Sequence, residues 1–143
     1  MDFDFTPRHI RYFNHARHMA EMSDYTRCPI GCIAVYKNKI IGCGFNSHRT
    51  HPLQQQYNQY RNFGNNAGNA LPKVHAELAC ISQIRNLDID YSKVELYIYR
   101  KCKSRECGMA RPCPGCLKAI RDIGVVKVFF TTDTGISYEK LSA

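Results

Sequence analysis

Residues 93–132 read KVELYIYRKCKSRECGMARPCPGCLKAIRDIGVVKVFFTT. Lys93 to Tyr99 alternates and is rich in β-formers, which predicts a strand. A basic, cysteine-bearing loop follows it. Leu117, Ile120 and Ile123 then fall on one side of a helix over 114–123, which Gly124 ends, and Val125 to Thr132 reads as a buried strand. Beyond it, Asp133-Thr134-Gly135 is a turn signal, and Ile136 to Tyr138 is expected to return as a short antiparallel strand.

Upstream, Ile10, Phe13, Ala16 and Ala20 recur at helical spacing, predicting an amphipathic helix over 8–22 with His9, His15 and His18 on its surface. Gly31–Tyr36 and Lys39–Phe45 are two β-rich runs joined at Lys37-Asn38, a hairpin. Residues 47–73 are rich in Asn, Gln, Gly and Tyr without an apolar period, so they read as a long loop, either a substrate-facing lid or a surface excursion. From Val74 a helical pattern carries Val74, Leu78 and Ile81 on one face to about residues 86–88.

The chain has 143 residues, 44% of them apolar, which suits one domain over 1–143 with its own core. The start lacks a secretory pattern and no run is long and apolar enough to span a bilayer, so a cytoplasmic protein without membrane partners is expected. Eight cysteines in such a chain read as reduced thiols, some of them metal ligands, rather than as a disulfide framework. The net charge is +8, and between residues 100 and 121 seven lysines and arginines face only Glu106. A basic stretch of this kind attracts phosphate, or simply solvates a loop.

Two motifs carry chemistry. Val74-His75-Ala76-Glu77 stands at one predicted helix start, and Arg111-Pro112-Cys113-Pro114-Gly115-Cys116 at the next. Cysteines three apart on a first turn point to the same side, where free amides and the positive helix end favour thiolates. An imidazole and two thiolates make a ligand set that zinc accepts, with a fourth tetrahedral position left for water. Glu77, two residues past His75, is placed to move protons without binding the metal.

His-Ala-Glu followed at a distance by Pro-Cys-x-x-Cys resembles the cytidine deaminase superfamily. Pro112 to Ile120 and Gly124 to Val128 look most like its deoxycytidylate deaminase branch and the viral or phage relatives of that branch. The resemblance implies a three-layer α/β/α sandwich around a mixed sheet of four to five strands, zinc as the cofactor, and hydrolysis of a cytosine amine in a mononucleotide such as deoxycytidylate. It also implies self-association. By the same resemblance Asn46 would reach the sugar, and Ala76, Ile33 and Ala34 would surround the base. Pro112 and His48 join them as substrate-side candidates, and Arg27, Arg49, Arg100 and Arg111 are candidates for a phosphate.

Other readings stay open on the sequence alone. The basic stretch would suit a cytosine or adenine in single-stranded nucleic acid. The antiparallel return expected at residues 136–138 is more similar to free-nucleoside deaminases. Cys102, Cys107, Cys113 and Cys116 together would make a structural zinc knuckle in a binding module without catalysis. Cys102 and Cys107, or His48 and His51, are candidates for a second metal, while Cys28, Cys32, Cys43 and Cys80 read as small core residues. Tyr57 and Tyr60 are stacking candidates, and at most one of Phe129 and Phe130 can face the site.

Overall fold

The computed structural model describes residues 4–60 and 73–142. In chain order the elements are α1 (Pro7–Glu21), β1 (Ile30–Tyr36), β2 (Lys39–Phe45), α2 (Pro52–Asn58), α3 (Ala76–Ile84), β3 (Glu95–Lys101), β4 (Cys107–Gly108), α4 (Pro114–Ile123), β5 (Lys127–Thr132) and β6 (Gly135–Lys140). The sheet runs β2-β1-β3-β5-β6, and the two-residue β4 pairs with β3 as a sixth strand. β3 and β5 are parallel, joined through α4, while the other pairings are antiparallel. The mixed sheet of the expected α/β fold is therefore present, and the return strand is longer than its sequence signal, spanning Gly135–Lys140.

Strand alternation divides the interior into two cores. Ile33, Val35, Tyr97, Tyr99 and Phe129 meet Tyr12, Phe13 and Ala16 of α1 on one face. Cys32, Ala34, Leu96, Ile98, Val128 and Phe130 meet α2, α3 and α4 on the other. Helices thus cover both faces, in three layers. The β1–β2 hairpin turns at Lys37 and Asn38, both with positive φ, as a two-residue turn matched to strand twist requires. Gly44 allows α3 to press onto β2, because a Cβ there would lie 2.6 Å from the Cys80 amide nitrogen and 2.7 Å from the Ala76 carbonyl oxygen.

The structure corrects several sequence expectations. The supposed loop 47–73 contains α2, which Pro52 opens and the His51 ring caps by accepting the Leu53 N–H at 3.0 Å. Its inner face is Leu53, Gln54, Tyr57 and Asn58, half polar, so no apolar period announced it. Residues 61–72 of that expected loop lie outside the described residues. The helix after Val74 begins only at Ala76 and ends at Ile84, short of 86–88. In α1, Ile10 is 44% exposed, whereas His9 is 5% exposed and stacks on Phe129 at 5.1 Å between ring centroids. Ile33 belongs to the α1 side, away from the place expected for a base. Among the described residues no helix is long and apolar enough to cross a membrane.

Candidate active site

Two helix beginnings meet on the α3–α4 side of the sheet. His75 is the N-cap of α3, with extended backbone at φ −83°, ψ 155°. Cys113 is the N-cap of α4, followed by Pro114, whose fixed φ suits a first helical position. Cys116, one turn in, donates its N–H to the Cys113 Sγ at 3.5 Å. The His75 Nδ1 lies 3.7 Å from the Cys113 Sγ and 3.4 Å from the Cys116 Sγ, and the three ligand atoms fall within 4.8 Å of one another.

These separations suit one zinc ion. Tetrahedral nitrogen and sulfur ligands at about 2.0 and 2.3 Å from an ion stand roughly 3.5 Å apart, which lies between the two observed distances. The electrostatics agree with that ligand set. The Cys113 thiol is pushed down to about 4, first by the hydrogen bond with Cys116 and then by His75 and the Cys116 amide, against the opposing effect of burial. Glu77 is 5% exposed, and its carboxyl is hydrogen-bonded to the Cys116 side chain. Burial pushes its pKa up and the negative charge of Cys113 adds to this, while His75 opposes. A carboxyl that binds protons more readily than usual, beside a three-ligand metal site, is suited to taking and giving protons.

A residue that the sequence did not single out braces the metal ligand. Gln54 of α2 is fully buried; its Oε1 accepts the backbone N–H of His75 at 2.9 Å, and its Nε2 donates to the Asn58 Oδ1 at 2.9 Å. Tyr57 of the same helix donates to Asp122 of α4 at 2.7 Å. Helix α2 thus ties the start of α3 to the C-terminal end of α4. A polar residue inside a Gln-rich run gives no sign of this duty.

A cavity of about 290 Å³ opens beside His75, and Tyr25, Asn46, Ser47, Lys73 and Val74 also line it. Asn46 is largely committed to the loop before β1. Its Oδ1 accepts from the Ser23 hydroxyl at 2.6 Å and the Ile30 N–H at 2.9 Å, and its Nδ2 donates to the Cys28 carbonyl at 2.7 Å. Ala76 and Pro112 are buried next to the ligands. His48 is exposed and lies against Tyr25, 4.9 Å between ring centroids.

The remaining candidates lie elsewhere. Arg27 lines a different cleft with Lys101 and Lys103. Arg111 pairs with Glu139 at 3.1 Å, and Arg49 lines a cavity along β2. His51 is spent on capping α2. The four-cysteine knuckle is not formed: among the described residues the sole metal-ligand group is His75, Cys113 and Cys116, and the Cys107 thiol instead donates to the Thr132 carbonyl at 3.3 Å. Phe130 is on the α3–α4 face and Phe129 on the opposite one, as strand alternation requires.

The sequence profile described as the cytidine and deoxycytidylate deaminase zinc-binding region matches residues 6–132. No curated protein sequence matches the chain. Among solved structures, the dCMP deaminase of the cyanophage S-TIM5 in complex with dCMP and dUMP is similar at a TM-score of 0.62 and 20% identity, over 90% of this chain and 85% of that one. A cytidine deaminase from Burkholderia pseudomallei is similar at a TM-score of 0.60 and 12% identity, over 92% and 91%. Guanine deaminase from Bacillus subtilis reaches a TM-score of 0.52 at 20% identity, over 87% and 64%. At such identities the likeness is one of fold. Because the profile covers most of the chain and its ligand motifs converge in space, the chain belongs to the cytidine and deoxycytidylate deaminase zinc-binding family.

Proposed function

We propose that the protein hydrolyses the exocyclic amine of a cytosine ring in a nucleotide such as deoxycytidylate, giving the uracil product and ammonia. The observation that carries this reading is the convergence of His75, Cys113 and Cys116 within 4.8 Å, with the buried Glu77 carboxyl beside them. The chemistry that a zinc ion supplies in such a three-ligand site is Lewis acidity, which brings the deprotonation of water toward neutral pH.

The chain's own groups do the rest. Glu77 takes a proton from the attacking water and gives it to the ring nitrogen next to C4. It then passes the second proton to the amine, the C4–N bond breaks, ammonia leaves, and the C4 carbonyl of uracil remains. Gln54 holds His75 in place through its backbone. Ala76 and Pro112, both buried, are the apolar flanks of the ring. Asn46 accepts and donates within the loop, and the second hydrogen of its amide, which has no partner among the described residues, is offered to the sugar.

The charge around residues 100–121 favours a mononucleotide over a polymer. Lys101 pairs with Glu21, Arg105 with Asp133, Arg111 with Glu139 and Lys118 with Asp122, so most of the stretch is neutralised locally instead of forming a phosphate track. Ammonia release across cytosine, cytidine, deoxycytidine, their monophosphates, guanine and a short single strand tests the substrate class. The Glu77→Gln protein is expected to keep one zinc per chain and lose about 10²- to 10⁴-fold in rate. A variant that retains wild-type ammonia release would remove Glu77 from the chemistry.

A further inference from the structure

We propose that Lys73 is the cation that selects a 5′-monophosphate on the substrate, so that the preference for a nucleotide over a nucleoside resides two residues before the first metal ligand. The inference rests on the deaminase reading above and names a determinant that the family motifs do not contain. Residues 73 and 74 are held as a short extended strip. Lys73 bridges to Thr50, the Val74 N–H donates to the Arg49 carbonyl at 2.9 Å, and the Ser47 N–H donates to the Val74 carbonyl at 3.1 Å.

His75 continues in extended conformation, so alternation puts the side chains of Lys73 and His75 on one side while Val74 packs into the core. Lys73 and His75 line the same cavity of about 290 Å³, and extended residues two apart stand about 6.6 Å from each other. That separation, extended by a flexible lysine stem, suits a base held at the metal site with its phosphate directed away from it.

Elimination points to the same residue. Arg27 and Arg49 line other cavities, and Arg111 is held by Glu139. The Arg100 guanidinium donates to the Met109 carbonyl at 3.3 Å. Lys73 is the lysine or arginine in the described lining of the His75 cavity, and it has no ion-pair partner among the described residues. A lysine ammonium has three donors to offer the phosphate oxygens.

Equilibrium binding of the products dUMP and deoxyuridine to the zinc-loaded protein tests the assignment without turnover. The wild type is expected to bind dUMP about ten- to a hundredfold more tightly than deoxyuridine, the size of one charge-assisted contact. Lys73→Gln should abolish the difference by weakening dUMP alone, and Lys73→Arg should keep most of it. Survival of the difference in Lys73→Gln, equal weakening of both ligands, or a wild type that does not distinguish them each overturns the proposal. Failure of the function itself looks different: the binding preference would be present and lost in Lys73→Gln, yet no cytosine compound would release ammonia.

Discussion

The two faces of the sheet are built to opposite specifications. Against α1 the residues are large and aromatic: Tyr97 and Phe129 stack at 4.5 Å with 9° between their planes, and Phe13 meets Tyr97 edge-on at 5.3 Å. Against α3 and α4 the strands offer Cys32, Ala34 and Gly44, small enough for the start of α3 to lie close upon them. Aromatic bulk on one side provides stability, while on the other the small residues of β1 and β2 let α3 lie close, with Leu96, Ile98, Val128 and Phe130 filling the rest of that face. The division should be separable by experiment, since few groups serve both faces.

The largest effect is expected where bulk is removed. Phe129 is 1% exposed, and Phe129→Ala should cost about 3–5 kcal/mol of stability, as buried aromatic truncations do. Denaturant unfolding measures the loss. Under conditions where the variant remains folded, zinc content should stay at one per chain. A Phe129→Ala protein that keeps its unfolding midpoint but sheds zinc would contradict the separation of the faces.

A smaller effect on folding, directed at the metal, is expected from Gln54. Truncation to Ala leaves the part-buried N–H of His75 without its acceptor, which costs about 1 kcal/mol. Loosening the support of a ligand typically weakens metal binding by about 10- to 100-fold. Competition with a chromophoric chelator reads that loss. Gln54→Glu, which keeps an acceptor for His75, should retain most of the zinc affinity, whereas equal loss in both variants would mean that the residue serves packing alone.

How far the sequence revealed these specifications depended on what each residue leaves behind in a local pattern. The strands and the two ligand motifs were legible because alternation, β-formers and helix-start spacing are short-range signals, and they placed His75, Glu77, Cys113 and Cys116 correctly at helix beginnings. Gln54 and Lys73 were not, since a buried glutamine in a polar run and a lysine before a motif acquire their positions only from tertiary contacts. Cysteine shows the same limit. The Cys113 thiol is pushed down to about 4 by its hydrogen bonds, while burial, with Cys80 hydrogen-bonded beside it, drives that of Cys32 well up. Spacing set the first apart as a ligand candidate, which the fold brings beside His75 and Cys116, but only the fold shows what surrounds the second.

The smallest effect concerns His9, the polar group inside the aromatic face. Its Nδ1 accepts the Thr6 N–H at 2.9 Å, and its ring stacks on Phe129. Burial first, and then the charge of Arg8, lower its pKa, with Glu95 opposing; Tyr97 packs beside it from β3. Since the folded value lies below the ordinary value of about 6.5, the unfolded chain binds more protons in the interval between them. The stability this group contributes is therefore complete above about pH 6.5 and is lost as pH falls through the folded value. His9→Phe keeps a ring against Phe129 and cannot titrate, so its stability should decline less steeply than the wild type's on the acid side of pH 6.5. Urea unfolding of both proteins across pH 5 to 8 gives the comparison. Protonation of the zinc ligands affects both proteins alike and cancels in their difference, and a difference that does not change with pH would show that the His9 ring is not held neutral by the aromatic face.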